Sequence, residues 1–546
     1  MKMIVAVCAI LSATIAVAGS VPVGAPDRMI AEGEGFTNVL ERCGCGWRKG
    51  PVRVSFAPVG DVASVRIAAP GIALRTVRCF WRTGFAKGCK VYSETRDEEW
   101  KPLDGTVQSQ WFFLVDQDGR TDGWGVRVQP NAFVCWNVRP GEVEAVLDVR
   151  AAGVGVWLGD RELLAAEFVR RNGEAGESAF AAGRAFCRMM CPSPRLPKEP
   201  VYGYNDWYCA YGANTATNFL GDAAYVVEMS RGLPVRPFVV MDDGWQHFSP
   251  VMLQKLYGNF NSGWGPWERA GEAFGMEMPE FARRIAALGA KPGLWYRPLR
   301  AWEDVTEDLR VPTARNFFDP TLPEVKKRIF DDVTRFRKWG FRMIKPDYIT
   351  YDLIDDGFSE WAVADYSRIC DDRIRWRDRS RTTAEVMLDI YRTIRRAAGA
   401  DMVVIGCNAV NHFAAGLFEL QRTGFDTSGK DWKKTVRCGV NAIGMRNMMN
   451  GTFYAADPDC IGLVAEGDIP WEKNRLWLDL IARSKSPLFV SWKRSLANDA
   501  IRAAFSRAFA IVCQPGDAGE PLDWQENKIP RKWRFADGEA EYDWLP

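Results

Sequence analysis

The sequence predicts an α/β chain: a (β/α)8 TIM barrel preceded by an all-β sandwich domain. Three observations carry this. Residues 25–190 read as short alternating apolar and polar runs broken by Gly, Asp and Pro turns. Residues 200–513 switch to apolar strand-like runs interleaved with amphipathic helical ones. Between them lies "CPSPRLPKEP", Cys191 to Pro200, a Pro-rich break suited to a linker.

At 546 residues the chain is too long for one small core. Hydrophobic residues at 47% and charged residues at 26% are those of an ordinary globular protein. Lys plus Arg is 71 against 69 Asp plus Glu, a formal charge of +2, with no basic stripe evident. That balance gives no reason to expect a nucleic-acid partner.

The elements follow in order. The opening "MKMIVAVCAILSATIAVAGS" has Lys2, an apolar stretch and Ala16-Val17-Ala18. It reads as a signal peptide over residues 1–18, which implies a secreted or periplasmic protein. The stretch is too short to span a bilayer comfortably, so no membrane association is expected after cleavage. In residues 25–190, "VRVSFAPV", "ASVRIAA", "QWFFLVDQDG" and "GWGVRVQP" carry the period-two pattern of a sandwich. After the linker come eight strand candidates: "VYGYNDWY", "RPFVVM", "KPGLWYRPL", "FRMIKPDYI", "DMVVIGCN", "LFELQRTGFD", "GTFYAADPD" and "PLFVSW". Helical patterns such as "MPEFARRIAALG" and "LPEVKKRIFDDVTRFRKWG" separate most of them. No G-x-G-x-x-G follows the first strand, which disfavours a dinucleotide-binding open sheet. Residues 514–546, with Trp524, Trp533 and Trp544, form a short β-rich tail.

Cysteine and histidine narrow the chemistry. One of the 14 Cys, Cys8, falls in the leader, leaving an odd number in an exported chain. Some disulfides are plausible, with no readable pairing. No CxxC pairs stand at zinc spacing, and the two His are His247 and His412. Neither a metal nor an organic cofactor is expected.

Barrel active sites lie at the C-terminal ends of the strands. Those ends carry Asn205, Asp206 and Trp207; Asp242, Asp243 and Trp245; Trp295 and Arg297; Lys345 and Asp347; Cys407 and Asn408; Arg422 and Asp426; Asp457 and Asp459; and Trp492. Carboxylates, two cations and several Trp on one rim suit a polyhydroxylated ring, because indole packs on the C–H face of a sugar. A lone Asp after a strand is commonly a helix cap or an Asx turn. Asp319 and Asp457-Pro458-Asp459 fit that use. Lys345 with Asp347, and Arg422 with Asp426, are open to reading as structural ion pairs. The adjacent Asp242-Asp243 is harder to explain so, since a cap needs one acceptor.

Taken together, "MDDGWQ", "KPGLWYRPL", "WGFRMIKPDYI" and "RTGFDTSGKDW" resemble the α-galactosidase (melibiase-like) clan of glycoside hydrolases. The likeness runs from "YGYNDWY" to about "SPLFVSW", and the region before the barrel suits the branch with an N-terminal sandwich. The resemblance implies a retaining exo-glycosidase. Asp347 would be the nucleophile and Asp426 the acid/base. Asp242 and Asp243 would hold O4 and O6 of a terminal galactose. Lys345 and Arg422 would bind ring hydroxyls and support the nucleophile, Lys345 keeping it ionised. Cys407 and Asn408 would read the 2-position. Trp207 and Trp245 would form walls, with Asp206 beside them. The substrate would be an oligosaccharide or polysaccharide; the sequence sets no oligomeric state. Alternatives stay open: a β-L-arabinopyranoside or α-N-acetylgalactosaminide substrate, transglycosylation, or a non-catalytic carbohydrate-binding barrel. The residues after Asp347 read "YIT", and "GCNAVNHF" has neither the Glu-Trp nor the Gly-rich run of better-known branches.

Overall fold

In the computed structural model the described residues are 19–44, 46–94, 99–258, 263–354, 373–464 and 469–545. The expected signal peptide lies outside them.

The N-terminal region is two antiparallel sheets packed face to face. Their alternating strands turn Val54, Phe56, Val65 and Ile67 inward. Between the sheets sits an aromatic cluster. Trp81 packs edge-on to Trp124 at 6.0 Å and to Phe168 at 5.6 Å, and Trp136 meets Phe168 at 5.4 Å. The last strand, Leu163–Arg171, is followed by a helix, Ala179–Met190, where the sequence pattern suggested only strands. The helix starts at Ser178, whose hydroxyl accepts from Ala181 N at 3.1 Å. Its stripe of Phe180, Phe186 and Met190 is buried. Gly123 and Gly125 make room for it: a Cβ on Gly123 would stand 2.6 Å from the Phe186 ring.

The first barrel strand, Tyr202–Asn205, begins just past the Pro-rich break. The next five are Phe238–Met241, Lys291–Tyr296, Met343–Pro346, Val403–Gly406 and Leu420–Arg422. All pair in parallel with their neighbours. The seventh is broken in two. Ala455–Asp457 pairs with the sixth strand, and Cys460–Leu463 pairs with the eighth, Leu488–Trp492. The eighth pairs with the first. The sheet therefore closes through Pro458 and Asp459, the latter at φ 79°. Proline removes a ladder donor and a left-handed residue turns the chain, so the strand kinks there. Gly203 permits the first pairing, since a Cβ there would lie 1.7 Å from Phe238 O.

Helices flank the barrel strands. Pro323–Trp339 and Thr383–Ala398 turn buried stripes inward, and Thr382 and Glu385 form a capping box on the second. The barrel also meets the sandwich directly: Thr382 Oγ1 donates to Asn131 O at 2.6 Å, and His412 stacks on Trp111 at 5.1 Å. Burial pushes the His412 imidazole down to about 4, so it is a neutral packing group.

The tail is a small antiparallel sheet, Glu520–Pro521, Lys532–Phe535 and Gly538–Glu541. Its Trp524 packs on Trp100 at 5.3 Å and Phe180 at 5.4 Å, and its Trp544 faces Trp432 at 6.3 Å. It thus binds sandwich to barrel instead of forming a domain. The plausible disulfides are absent among the described residues, where Cys79, Cys89, Cys135 and the rest are free thiols. Most are buried in apolar surroundings and act as small hydrophobes. No helix among the described residues is long and apolar enough to cross a membrane.

Candidate active site

The site is assembled from strand ends, where the chain leaves the sheet and side chains meet over the barrel mouth. Four non-glycine residues there take left-handed backbone: Tyr348, Asn408, Ser428 and Asp459, at φ 61°, 48°, 63° and 79°. Each such turn costs about 1–2 kcal/mol, so the surrounding structure must hold it in place.

Asp347 follows the fourth strand and is 6% exposed. Three donors converge on it. Trp295 Nε1 reaches Oδ2 at 2.9 Å, the Tyr348 backbone N reaches Oδ1 at 2.7 Å, and Asn408 Nδ2 also donates to Oδ1. Tyr348 is itself fixed: the Arg297 guanidinium lies 4.2 Å over its ring while binding Asp352 at 3.0 and 2.7 Å. Donors aimed at a carboxylate hold it oriented.

Lys345, two residues earlier, points to Asp242, with Nζ 2.7 Å from Oδ2. Asn205 Nδ2 donates to the same oxygen at 2.7 Å. Burial opposes the ammonium charge, but Asp242 outweighs it and holds the Lys345 amine well above its usual range. The adjacent-carboxylate problem is solved by giving the two aspartates separate partners. Asp243 accepts from Gln246 Nε2 at 2.6 Å and Gly263 N at 2.7 Å, and burial pushes it up to about 7. Asp206 accepts from Asp242 N at 2.8 Å and Asn214 Nδ2 at 2.7 Å; burial and the Asp242 charge push it up to about 7 as well. Of the three neighbouring carboxyls, then, two sit near neutrality's threshold and Asp242 is matched to Lys345.

Arg422 ends the sixth strand, 4% exposed. Its guanidinium reaches Asp426 at 3.1 Å and Asp459 at 3.4 Å, and lies 3.8 Å from Cys407 Sγ. Asp426 is different in kind: its side chain is 54% exposed. What burial it has pushes its carboxyl up, but Arg422 more than offsets this and holds it below the ordinary range. Burial and the Asp347 charge drive the Cys407 thiol well up, so it stays neutral. Asp459 is more than a turn residue. It accepts from Tyr208 OH and from Thr427 N at 2.8 Å and Oγ1 at 3.1 Å, which pins the loop carrying Asp426. Asp457, pushed up to about 7 by burial, accepts from Asp459 N at 3.1 Å.

A cleft of about 600 Å³ opens over this group. Asp426, Asn408 and Tyr348 line it, and Asn408 links its wall to Asp347. Lys433, Lys434 and Arg437 line it too, a basic group the sequence did not reveal because the chain as a whole is nearly neutral.

Two expected members lie elsewhere. Trp245 is fully buried and donates its Nε1 to Trp295 O at 3.0 Å, packed on Trp267 at 5.7 Å and Phe336 at 5.9 Å. It supports the strand bearing Trp295 from behind and forms no wall. Asp206 braces Asp242 and borders a separate cavity of about 340 Å³ with Asn214 and Arg494. Trp207 is half-buried beside Tyr211, ring centres 5.3 Å apart. Trp295 was placed on the rim by the sequence without a role, and Gln246 and Gly263 were given no part by it. A Trp at a strand end was a visible signal for the first; nothing local distinguishes the other two.

No protein-family model matches the chain. Among solved structures it superposes on the Thermus thermophilus α-galactosidase in complex with p-nitrophenyl α-D-galactopyranoside. The TM-score is 0.57 at 15% identity, over 96% of this chain and 100% of that one. The fold is that of the GH36 α-galactosidases. The galactosidase domain of the α-galactosidase–sucrose kinase AgaSK matches at TM-score 0.62 and 14% identity, over 89% of this chain and 73% of that one. The GH36 enzyme AgaA from Geobacillus stearothermophilus matches at 0.57 and 12%, over 89% and 71%. The GH36 likeness spans sandwich and barrel together, so the whole two-part architecture is shared.

Proposed function

We propose that this protein is a secreted, retaining glycoside hydrolase that removes terminal α-linked galactose from oligosaccharides. One observation carries the reading. A carboxylate held by three donors, Asp347, and a solvent-facing carboxyl, Asp426, flank one barrel mouth through Asn408 and Arg422. The solved proteins of the same fold carry p-nitrophenyl galactoside, stachyose or raffinose.

The chemistry follows from the geometry. Retention needs a nucleophile and an acid/base on opposite sides of the anomeric carbon. Asp347 attacks C1 and forms a glycosyl ester, its orientation kept by Trp295, Tyr348 and Asn408. Asp426 gives its proton to the departing oxygen, then takes one from the water that cleaves the ester. Arg422 by itself keeps Asp426 ionised. A sugar in the cleft shields Asp426 from water, and Arg422 has Asp459 at 3.4 Å to receive its charge. Both changes raise Asp426 toward a proton-donating value.

Recognition falls to Asp242 and Lys345. Among the described residues Asp242 Oδ1 accepts only from Asp243 N, at 2.9 Å, and so keeps a lone pair for a hydroxyl. An axial O4 suits that acceptor, while an epimer leaves one lone pair of a buried carboxylate oxygen unfilled, which is costly. Asp243, with both oxygens engaged, braces this pair.

The test is Asp347→Ala assayed with an aryl α-galactoside. Turnover should vanish while the fold persists, and added azide should restore it, giving β-galactosyl azide. Wild-type rates in Asp347→Ala would end the assignment.

A further inference from the structure

The seventh strand breaks at Pro458, and Asp459 takes left-handed backbone at φ 79°. A non-glycine residue stays in that conformation only where its surroundings hold it. Here the surroundings are the acid/base and its arginine. Asp459 Oδ2 accepts from Tyr208 OH, from Thr427 N at 2.8 Å and from Thr427 Oγ1 at 3.1 Å. Thr427 is the residue next to Asp426. The other oxygen, Oδ1, lies 3.4 Å from Arg422 Nη1, while Nη2 of the same guanidinium reaches Asp426 Oδ1 at 3.1 Å. Asp459, 4% exposed, thus acts on Asp426 both through its chain neighbour and through its counter-ion.

Tyr208 belongs to the short helix Trp207–Ala210 that follows the first strand, and its backbone N donates to Ser491 Oγ of the eighth at 3.0 Å. Burial, with Asp426 and Asp459 behind it, drives the Tyr208 phenol well up, so it keeps its proton for Asp459. Arg422 is shared unequally. Burial opposes its charge, and Asp459 does more than Asp426 to restore it. Around Asp426, the cations Arg422, Lys345 and Lys434 favour its ionised form. The Cys407 and Cys438 thiols and the Tyr208 phenol, which also face it, are pushed up by burial and stay neutral. Without the Asp459 carboxylate, Arg422 would turn wholly on Asp426 and hold the proton donor ionised.

Resting on the reading of Asp426 as the acid/base, we propose that Asp459, aimed by Tyr208, is a positioning residue of the acid step. It draws Arg422 off Asp426 and anchors Thr427, so that Asp426 can carry its proton to the leaving oxygen. The glycosidic bond breaks as that proton arrives and Asp347 attacks C1; Asp459 and Tyr208 exchange no proton with the substrate.

The full-length protein tests this with two aryl α-galactosides: dinitrophenyl, whose leaving group needs no proton, and phenyl, whose leaving group does. Asp459→Asn keeps an oxygen for Tyr208 and Thr427 but no charge for Arg422. Asp426 then becomes the stronger acid and loses its proton at lower pH. The alkaline limb of kcat on the phenyl substrate should move down by about one pH unit, which is about tenfold in rate above the limb. The dinitrophenyl substrate should lose far less, and acidification should return the phenyl rate toward wild type. Tyr208→Phe removes one oxygen and should slow the phenyl substrate selectively, about 3- to 10-fold, the size of one lost hydrogen bond. In the Asp459→Asn chain the same change should cost less than about twofold more, because Tyr208 acts through Asp459. Equal losses on both substrates, an unmoved limb in Asp459→Asn, or Tyr208→Phe at wild-type rates overturns the inference while Asp347 and Asp426 keep their roles. Equal losses on both substrates in Asp426→Ala overturn the underlying reading instead.

Discussion

Replacing Lys345 with Met leaves a chain of similar length beside Asp242 but removes its cation. In the wild type Nζ lies 2.7 Å from Oδ2, with the two side chains 10% and 4% exposed. Deleting one partner of so buried a pair costs about 3–5 kcal/mol, because the remaining charge is neither hydrated nor matched. The Asn205 amide, still 2.7 Å away, supplies one hydrogen bond but no charge. The loss should depend on pH with a definite sign. In the variant the Asp242 carboxyl is raised above its unfolded value, so the folded state holds a proton that the unfolded chain releases. The stability of the variant then falls as pH rises. In the wild type Lys345 is held well above its usual value, so its contribution is complete at neutral pH and is lost only far above it. Urea unfolding followed by tryptophan fluorescence at about pH 5 and about pH 8 measures both effects. Adding Asp242→Asn should recover most of the loss, since no buried charge remains. A single-variant loss under about 1 kcal/mol, or a loss of equal size at both pH values, would refute the account of this pair.

Other outcomes follow from the same contacts. Trp295→Phe keeps the ring but deletes the 2.9 Å donor to Asp347, and should lower kcat/KM on aryl α-galactosides about 10- to 150-fold; a change under twofold removes Trp295 from the machinery. Asp426→Ala should slow substrates with poor leaving groups far more than dinitrophenyl galactosides, and an equal loss across the series contradicts an acid. Asp243 is pushed up to about 7 by burial, above its unfolded value, so its contribution to stability is full below about pH 4 and drains away as pH rises through about 7. Wild-type stability relative to Asp243→Asn should therefore fall across that window; a relative gain there rejects a carboxyl held protonated by burial.

The barrel was legible because its signal is local and repeated. Each strand is a run of apolar residues and each helix an amphipathic stripe, and a run of eight leaves few architectures. The same pattern located Asp347, Asp426, Asp242 and Lys345, since residues at strand ends face the mouth whatever the loops do. Trp245 was misread for a related reason. It follows a strand end too, but the chain turns at Gly244, φ 132°, and sends the indole back onto Trp267 and Phe336. The helix Ala179–Met190 was hidden inside a strand-rich region, and its packing depends on Gly123 and Gly125, more than fifty positions earlier.

The sequence by itself determined the run of eight barrel strands and the positions just past them that carry Asp347, Asp426, Asp242 and Lys345. Periodicity and chain polarity act over a few residues and need no partner to be read. Only the tertiary structure decided which charges meet. Asp242 is matched to a lysine 103 positions away, Asp243 to Gln246 and the Gly263 amide, and Asp426 to Arg422. These pairings set which carboxyls keep their charge, because charge in a poorly hydrated site depends on what lies within a few ångströms in space, and distance along the chain says nothing of that.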